Sequence, residues 1–107
     1  MAGFREEVLN LIRQIPQGRV MTYGGVARAV GYPQRARQVG MILFGLGESD
    51  SEVPWQRVVN AQGGLSTYKV GSGEWQRALL LSEGVEVGPD NLVDLKKYGW
   101  GPEGAPR

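Results

Sequence analysis

The chain contains no cysteine and no histidine. The first absence excludes disulfides and thiolate nucleophiles; the two together remove the usual zinc ligands and the side chain that most often moves protons near neutral pH. Most hydrolase and transferase mechanisms therefore lose their customary residues, and no metal or other cofactor is expected. Long apolar runs are missing too. No segment approaches the roughly 20 apolar residues that cross a bilayer, and the N-terminus has no stretch resembling a signal peptide, which predicts a cytoplasmic protein without a membrane partner.

A large charge surplus is also lacking, since 12 basic residues face 11 acidic ones. The distribution is uneven, however. Between Val8 and Gly47 stand five arginines, Arg13, Arg19, Arg28, Arg35 and Arg37, with no acidic residue. Glu48, Asp50 and Glu52 then form an acidic loop, Arg57 and Lys69 follow without acids as far as Gly73, and acids outnumber bases toward the C-terminus. Such segregation predicts a basic face suited to a polyanion, against the plainer reading of ordinary solvated arginines. With 107 residues, 41% of them hydrophobic, the chain suits one domain over 1–107 with a modest core, expected as a monomer.

What is present reads as mainly helical. Phe4, Val8, Leu11, Ile12 and Ile15 fall at helical spacing and predict an amphipathic helix ending before Pro16-Gln17-Gly18. Thr22 is a plausible N-cap for a short helix through Val26, Ala27 and Val30, which Gly31 stops. A second short helix is expected from Gln34 to about Gly45, with Ala36, Val39, Ile42 and Leu43 inward and Arg35, Arg37 and Gln38 at its N-terminal end. Two short helices joined by a Gly/Pro turn, the second opening with arginines, form a helix-turn-helix pattern. Generic helical hairpins share it.

Phe44 to Val53, with two glycines and three acids, reads as a flexible connector. Pro54 then fixes the backbone before Trp55, and the β-branched pair Val58-Val59 runs toward the Gly63-Gly64 turn, so Trp55 stands where a loop enters a strand of a small β-hairpin. Ser72 can cap a helix over Glu74 to Leu81, whose leucines read as core, ending at Glu83-Gly84. From about residue 88 a coiled C-terminal end is expected, packing as strand or coil.

The run Pro54-Trp55-Gln56-Arg57-Val58-Val59 resembles the active-site signature of the O6-alkylguanine-DNA alkyltransferase family, Pro-Cys-His-Arg-Val followed by Ile or Val. Trp55 stands in place of the alkyl-accepting cysteine and Gln56 in place of the histidine that activates it. The tryptophan form is similar to the alkyltransferase-like members, which lack the transfer reaction. Gly18-Arg19-Val20-Met21-Thr22-Tyr23-Gly24 and Ala36-Arg37-Gln38-Val39-Gly40 are similar to the family's helix-turn-helix and recognition-helix segments. The resemblance runs from about Phe4 to Glu86 and implies a winged helix-turn-helix-like domain that reads the minor groove of double-stranded DNA.

Several roles follow from that resemblance. Tyr23 would displace a phosphate, Arg37 would enter the base stack in place of a flipped nucleotide, and Gly40 would allow close approach, with Thr22, Arg35 and Gln38 beside them on the DNA face. A lesion pocket would comprise Tyr23, Pro54, Trp55, Gln56, Arg57, Val58 and, from the loop closing over the base, Ser66, Tyr68 and Lys69. Arg57 either joins this pocket or braces its loop. Glu83 matches the glutamate that orients the enzymes' histidine, so a hydrogen bond from the Gln56 amide could survive without a proton relay. No asparagine occupies the usual hinge, where Phe44-Gly45-Leu46-Gly47 stands instead. The Ser66-Thr67-Tyr68-Lys69 match to the Ser-x-x-Lys of acyl enzymes lacks companion motifs and reads as coincidence.

Indole is a poor nucleophile toward a saturated carbon and a glutamine amide is no base, so no alkyl transfer is expected. The implied function is non-enzymatic recognition of O6-alkylguanine by nucleotide flipping, with hand-over to nucleotide excision repair, placing the protein at the nucleoid when DNA-bound. The alternative is a sequence-reading helix-turn-helix regulator with a structural Trp55.

Overall fold

The computed structural model describes residues 3–65, 67 and 71–102. Helix α1 (Phe4–Gln14) buries Val8, Leu9, Leu11 and Ile12 along one stripe, and Ile15 turns out of the helix in an extended conformation just before Pro16. Strand β1 (Met21–Thr22) leads directly into α2 (Tyr23–Ala29). Thr22 caps that helix as its sequence suggests, its Oγ1 accepting the Gly25 N–H at 2.9 Å.

Helix α2 ends through Gly31 at φ +95°, with Gly31 N–H donating to the Arg28 carbonyl at 3.0 Å and Tyr32 N–H to the Ala27 carbonyl at 2.9 Å. That pair of bonds closes the last turn and redirects the chain, a geometry that a side chain at position 31 would strain. After it, α3 (Ala36–Phe44) begins later than expected, because Pro33 and Gln34 belong to the turn and Arg35 is the N-cap residue. The two helices pack on each other as the expected helix-turn-helix.

The sheet differs from the expected hairpin. Strand β2 (Val58–Val59) pairs in parallel with β1, Met21 opposite Val58 and Thr22 opposite Val59. A parallel pair needs a long crossover, supplied here by α2, α3 and the connector, whereas among the described residues the Gly63-Gly64 turn leads to a single antiparallel bridge between Gly64 and Leu92. Because successive strand residues face opposite sides, this short pair separates two apolar cores. Met21 and Val58 join the core of α1, α2 and α3, while Val20 and Val59 join Leu65, Leu80, Val85, Val87, Val93 and Tyr98 on the other side.

Helix α4 (Gly73–Ser82) lies in the expected place, but Ser72 makes no side-chain capping bond. Its leucines divide: Leu80 is fully buried and Leu81 is 48% exposed, since neighbours on a helix are about 100° apart and three in a row cannot share one face. Between residues 88 and 102 the chain is more ordered than a coil. Asp94 caps α5 (Leu95–Tyr98), and Gly99 bridges to Val20.

The connector after α3 also departs from the flexible reading. Glu48–Asp50 form a 3-10 turn, and two ion pairs tie this region to α1, Arg5 to Asp50 at 3.1 Å and Arg13 to Glu52 at 2.6 Å. The hydrogen bond from Arg13 holds the Glu52 carboxyl below its ordinary pKa.

Candidate functional site

Pro54 opens a 3-10 turn over Trp55–Arg57 that runs into β2. The turn is short, with Arg57 N–H donating to the Pro54 carbonyl at 3.0 Å, so side chains decide what each of its residues faces. Trp55 is half-buried, its inner side against the first core. Its ring also meets Trp75 of α4, with ring centroids 5.6 Å apart and planes at 74°, the edge-to-face arrangement that aromatic quadrupoles favour.

Beside this pair opens a cleft of about 390 Å³ lined by Leu43, Phe44, Leu46, Trp55, Thr67, Ser72 and Trp75. Its size falls within the roughly 300–1,000 Å³ typical of small-ligand sites. The indole is thus neither sealed in the core nor free on the surface. Phe44 and Trp75, 52% and 63% exposed, stand at its rim. Sequence reading places Phe44 in the hinge segment and not at a pocket, and it does not single out Trp75, because α4 has no clear apolar stripe to fix which way that residue points.

Gln56 and Arg57 turn the opposite way, onto Glu83 at the end of α4. Gln56 Nε2 donates to Glu83 Oε2 at 2.7 Å, as the resemblance implied. Arg57 answers the question left open by sequence: Nε and Nη2 grip the two carboxylate oxygens at 2.9 and 3.0 Å, and Nη1 donates to the Ile15 carbonyl at 2.8 Å. It braces the turn and does not line the cleft. Gly18 N–H adds a fourth bond to Glu83 at 3.3 Å. Burial alone would raise the Glu83 pKa, but hydrogen bonds from Arg57, Gln56 and Gly18, with the Arg57 charge, outweigh it and hold the carboxyl below its ordinary value. Val58 likewise gives its side chain to the core and leaves only its backbone near the turn.

On the helix-turn-helix, Tyr23 is half-buried at the start of α2, its ring against Gly40 of α3, where an added Cβ would lie 3.8 Å from Tyr23 Cε1. Thr22 is buried and its hydroxyl oxygen is committed to the cap, so it positions Tyr23 from within the fold and is not on the exposed face expected of it. Arg37 and Gln38 are exposed on the first turn of α3. Arg35 lies with its guanidinium 4.3 Å from the Tyr32 ring centroid and 5.2 Å from that of Phe4, stacked on aromatic faces.

The basic stretch is correspondingly narrower than its sequence suggests. Arg13 is paired with Glu52, and Arg19 donates to the Lys97 carbonyl at 3.0 Å, which leaves Arg28, Arg35 and Arg37 around the helix-turn-helix. Ser66, Tyr68 and Lys69, expected in the loop over the base, lie outside the described residues. Among the described residues no acidic cluster could hold a metal ion, and no helix is long and apolar enough to cross a membrane.

The chain matches the family model of the 6-O-methylguanine DNA methyltransferase DNA-binding domain over residues 3–85. It is 42% identical to the DNA base-flipping protein of Vibrio parahaemolyticus over 95% of this chain and all of that one. It is 39% identical to alkyltransferase-like protein 1 of Schizosaccharomyces pombe over 95% of this chain and 98% of that one. The crystal structure of the S. pombe protein in complex with damaged DNA containing O6-carboxymethylguanine superposes with a TM-score of 0.85 at 38% identity, covering 95% of this chain and all of that chain. By sequence and by fold, this chain belongs to the 6-O-methylguanine DNA methyltransferase DNA-binding domain family, as an alkyltransferase-like member.

Proposed function

We propose that this protein recognises O6-alkylguanine in double-stranded DNA without repairing it. Helix α3 enters the minor groove, the damaged nucleotide turns out of the duplex into the cleft, and its base stacks on Trp55. Arg37 fills the vacated place, where a planar and permanently charged head can stack between bases and hydrogen-bond the orphaned partner. Extruding a base costs a few kcal/mol, less for a damaged one, and stacking on an aromatic side chain recovers about 1–3 kcal/mol.

The observation that carries this reading is the half-buried indole opening onto an apolar cleft at the position where the family's enzymes have a thiol. Transfer of the alkyl group needs a nucleophile and a base, and this site offers an indole and a glutamine amide already bonded to Glu83. The bound complex then marks the damage for nucleotide excision repair. Such a marker works as a monomer at the nucleoid and needs no cofactor.

Titration with matched duplexes carrying guanine or O6-methylguanine tests the proposal. Tighter binding of the lesion, with no gain of about 14 Da in protein mass, is expected, and Trp55→Ala should lose roughly tenfold or more in lesion affinity. Binding indifferent to the lesion, or a methyl group retained on the protein, overturns it.

A further inference from the structure

Gln76 is fully buried in the middle of α4, on the face that Leu80 occupies one turn later. An apolar side chain would suit that position. A buried amide is costly unless its hydrogen bonds are made, and here they are. Nε2 donates to the Gln56 carbonyl at 3.0 Å and to the Val58 carbonyl at 3.1 Å, while Oε1 accepts from the Thr67 hydroxyl at 2.5 Å.

We propose that Gln76 is a positioning residue for lesion recognition, locking the Trp55 turn, strand β2 and the Thr67 wall of the cleft into one rigid unit. The proposal rests on the function argued above. A 3-10 turn of three residues holds itself poorly, and its final carbonyls need outside partners. One amide supplies partners on both sides of the peptide that follows Arg57. The same amide holds Thr67, whose carbonyl also accepts the Ser72 N–H at 3.0 Å, so two parts of the cleft lining, the turn of the indole and Thr67, share one anchor. Helix α3 and its arginines make no hydrogen bond with Gln76. Its loss should therefore fall on the lesion and not on duplex binding in general.

The test uses the full chain with Gln76→Leu, Gln76→Glu and Thr67→Val, each checked by thermal unfolding. Gln76→Leu should lower affinity for an O6-methylguanine duplex about tenfold while undamaged DNA changes less than about twofold, a loss of pre-organisation and not of contact. Gln76→Glu keeps the acceptor for Thr67 but turns a carboxylate oxygen on two carbonyls. Lesion preference should be lost at neutral pH and partly regained in mildly acidic buffer, as protonation restores one donor. If the leucine variant does not fold, Thr67→Val and Gln76→Glu decide the matter. In the free protein, the near-ultraviolet circular dichroism of the Trp55–Trp75 pair, defined by difference from Trp75→Ala, should weaken in the Gln76 variants. Retained lesion preference, or an equal loss on both duplexes, overturns the proposal. Should the parent protein itself show no preference, the function above fails, and the tryptophan signal alone decides whether Gln76 positions the turn.

Discussion

Arg57 and Glu83 meet as a two-pronged ion pair, Nε to Oε1 at 2.9 Å and Nη2 to Oε2 at 3.0 Å, with side chains only 16% and 8% exposed. The pair fastens the turn that carries Trp55 to the C-terminal end of α4, and further hydrogen bonds join Arg57 to Ile15 and Glu83 to Gly18 and Gln56. Glu83 can be held there because Gly84, at φ +89°, lets the chain leave α4, with Val85 N–H closing onto the Leu80 carbonyl at 3.0 Å.

Removing one partner of this pair strands the other. Arg57→Met should destabilise the protein by about 3–5 kcal/mol. Because the folded Glu83 pKa lies below its ordinary value of 4.5, the carboxylate contributes stability fully above that pH and loses the contribution as pH falls through the lower folded value. Urea unfolding of the parent and Glu83→Gln from pH 7 to pH 3 checks this: the gap between them should narrow only at the acid end.

Thr22 offers a cleaner measurement. Thr22→Val preserves shape but deletes the acceptor for Gly25 N–H, and should cost about 1 kcal/mol, whereas Thr22→Ser should stay close to the parent. Thermal melts distinguish the two, with a fall of several degrees expected for the valine.

Gly40 separates fold from docking. An added Cβ would make ordinary contact with the Tyr23 ring at 3.8 Å, so Gly40→Ala should fold and gain about 0.5–1 kcal/mol of helix stability. On the proposed docking the same methyl group stands between α3 and the groove. A melting temperature at or above the parent's, combined with weakened duplex binding, is the expected pair of results, and undiminished binding would remove Gly40 from the interface.

Salt dependence counts the cations that reach phosphate. With Arg13 and Arg19 occupied elsewhere and Arg37 assigned to the base stack, Arg28 and Arg35 should give a log–log slope near −2, at about −0.9 per neutralised phosphate. A slope near −4 would mean that Arg13 and Arg19 leave their partners on binding.

Features governed by neighbours in sequence were the ones legible before any coordinates. The stripe of α1, the Thr22 cap and the Gly31 stop depend on residues within a turn or two, and each lies where its pattern places it. The Gln56–Glu83 bond was legible for a different reason, through the family motif. By contrast, the partner of Val58-Val59 lies across two helices at Met21-Thr22, and two-residue strands carry no signal of direction. Arg13 and Arg19 read as free surface charge because their partners Glu52 and Lys97 are remote in the chain. Gln76 was invisible for the same reason: a glutamine on a helix reads as a solvated residue until the 56–58 stretch and Thr67 converge on it.

The two-residue strand pair has a mechanical consequence. Thr22 passes directly into Tyr23, and Val58 follows Trp55 by three positions, so the in-register ladder clamps the two aromatic residues to neighbouring rails about 4.8 Å apart. Such an arrangement works as a fixed calliper. On the docking proposed above, this ladder sets the reach from duplex to indole.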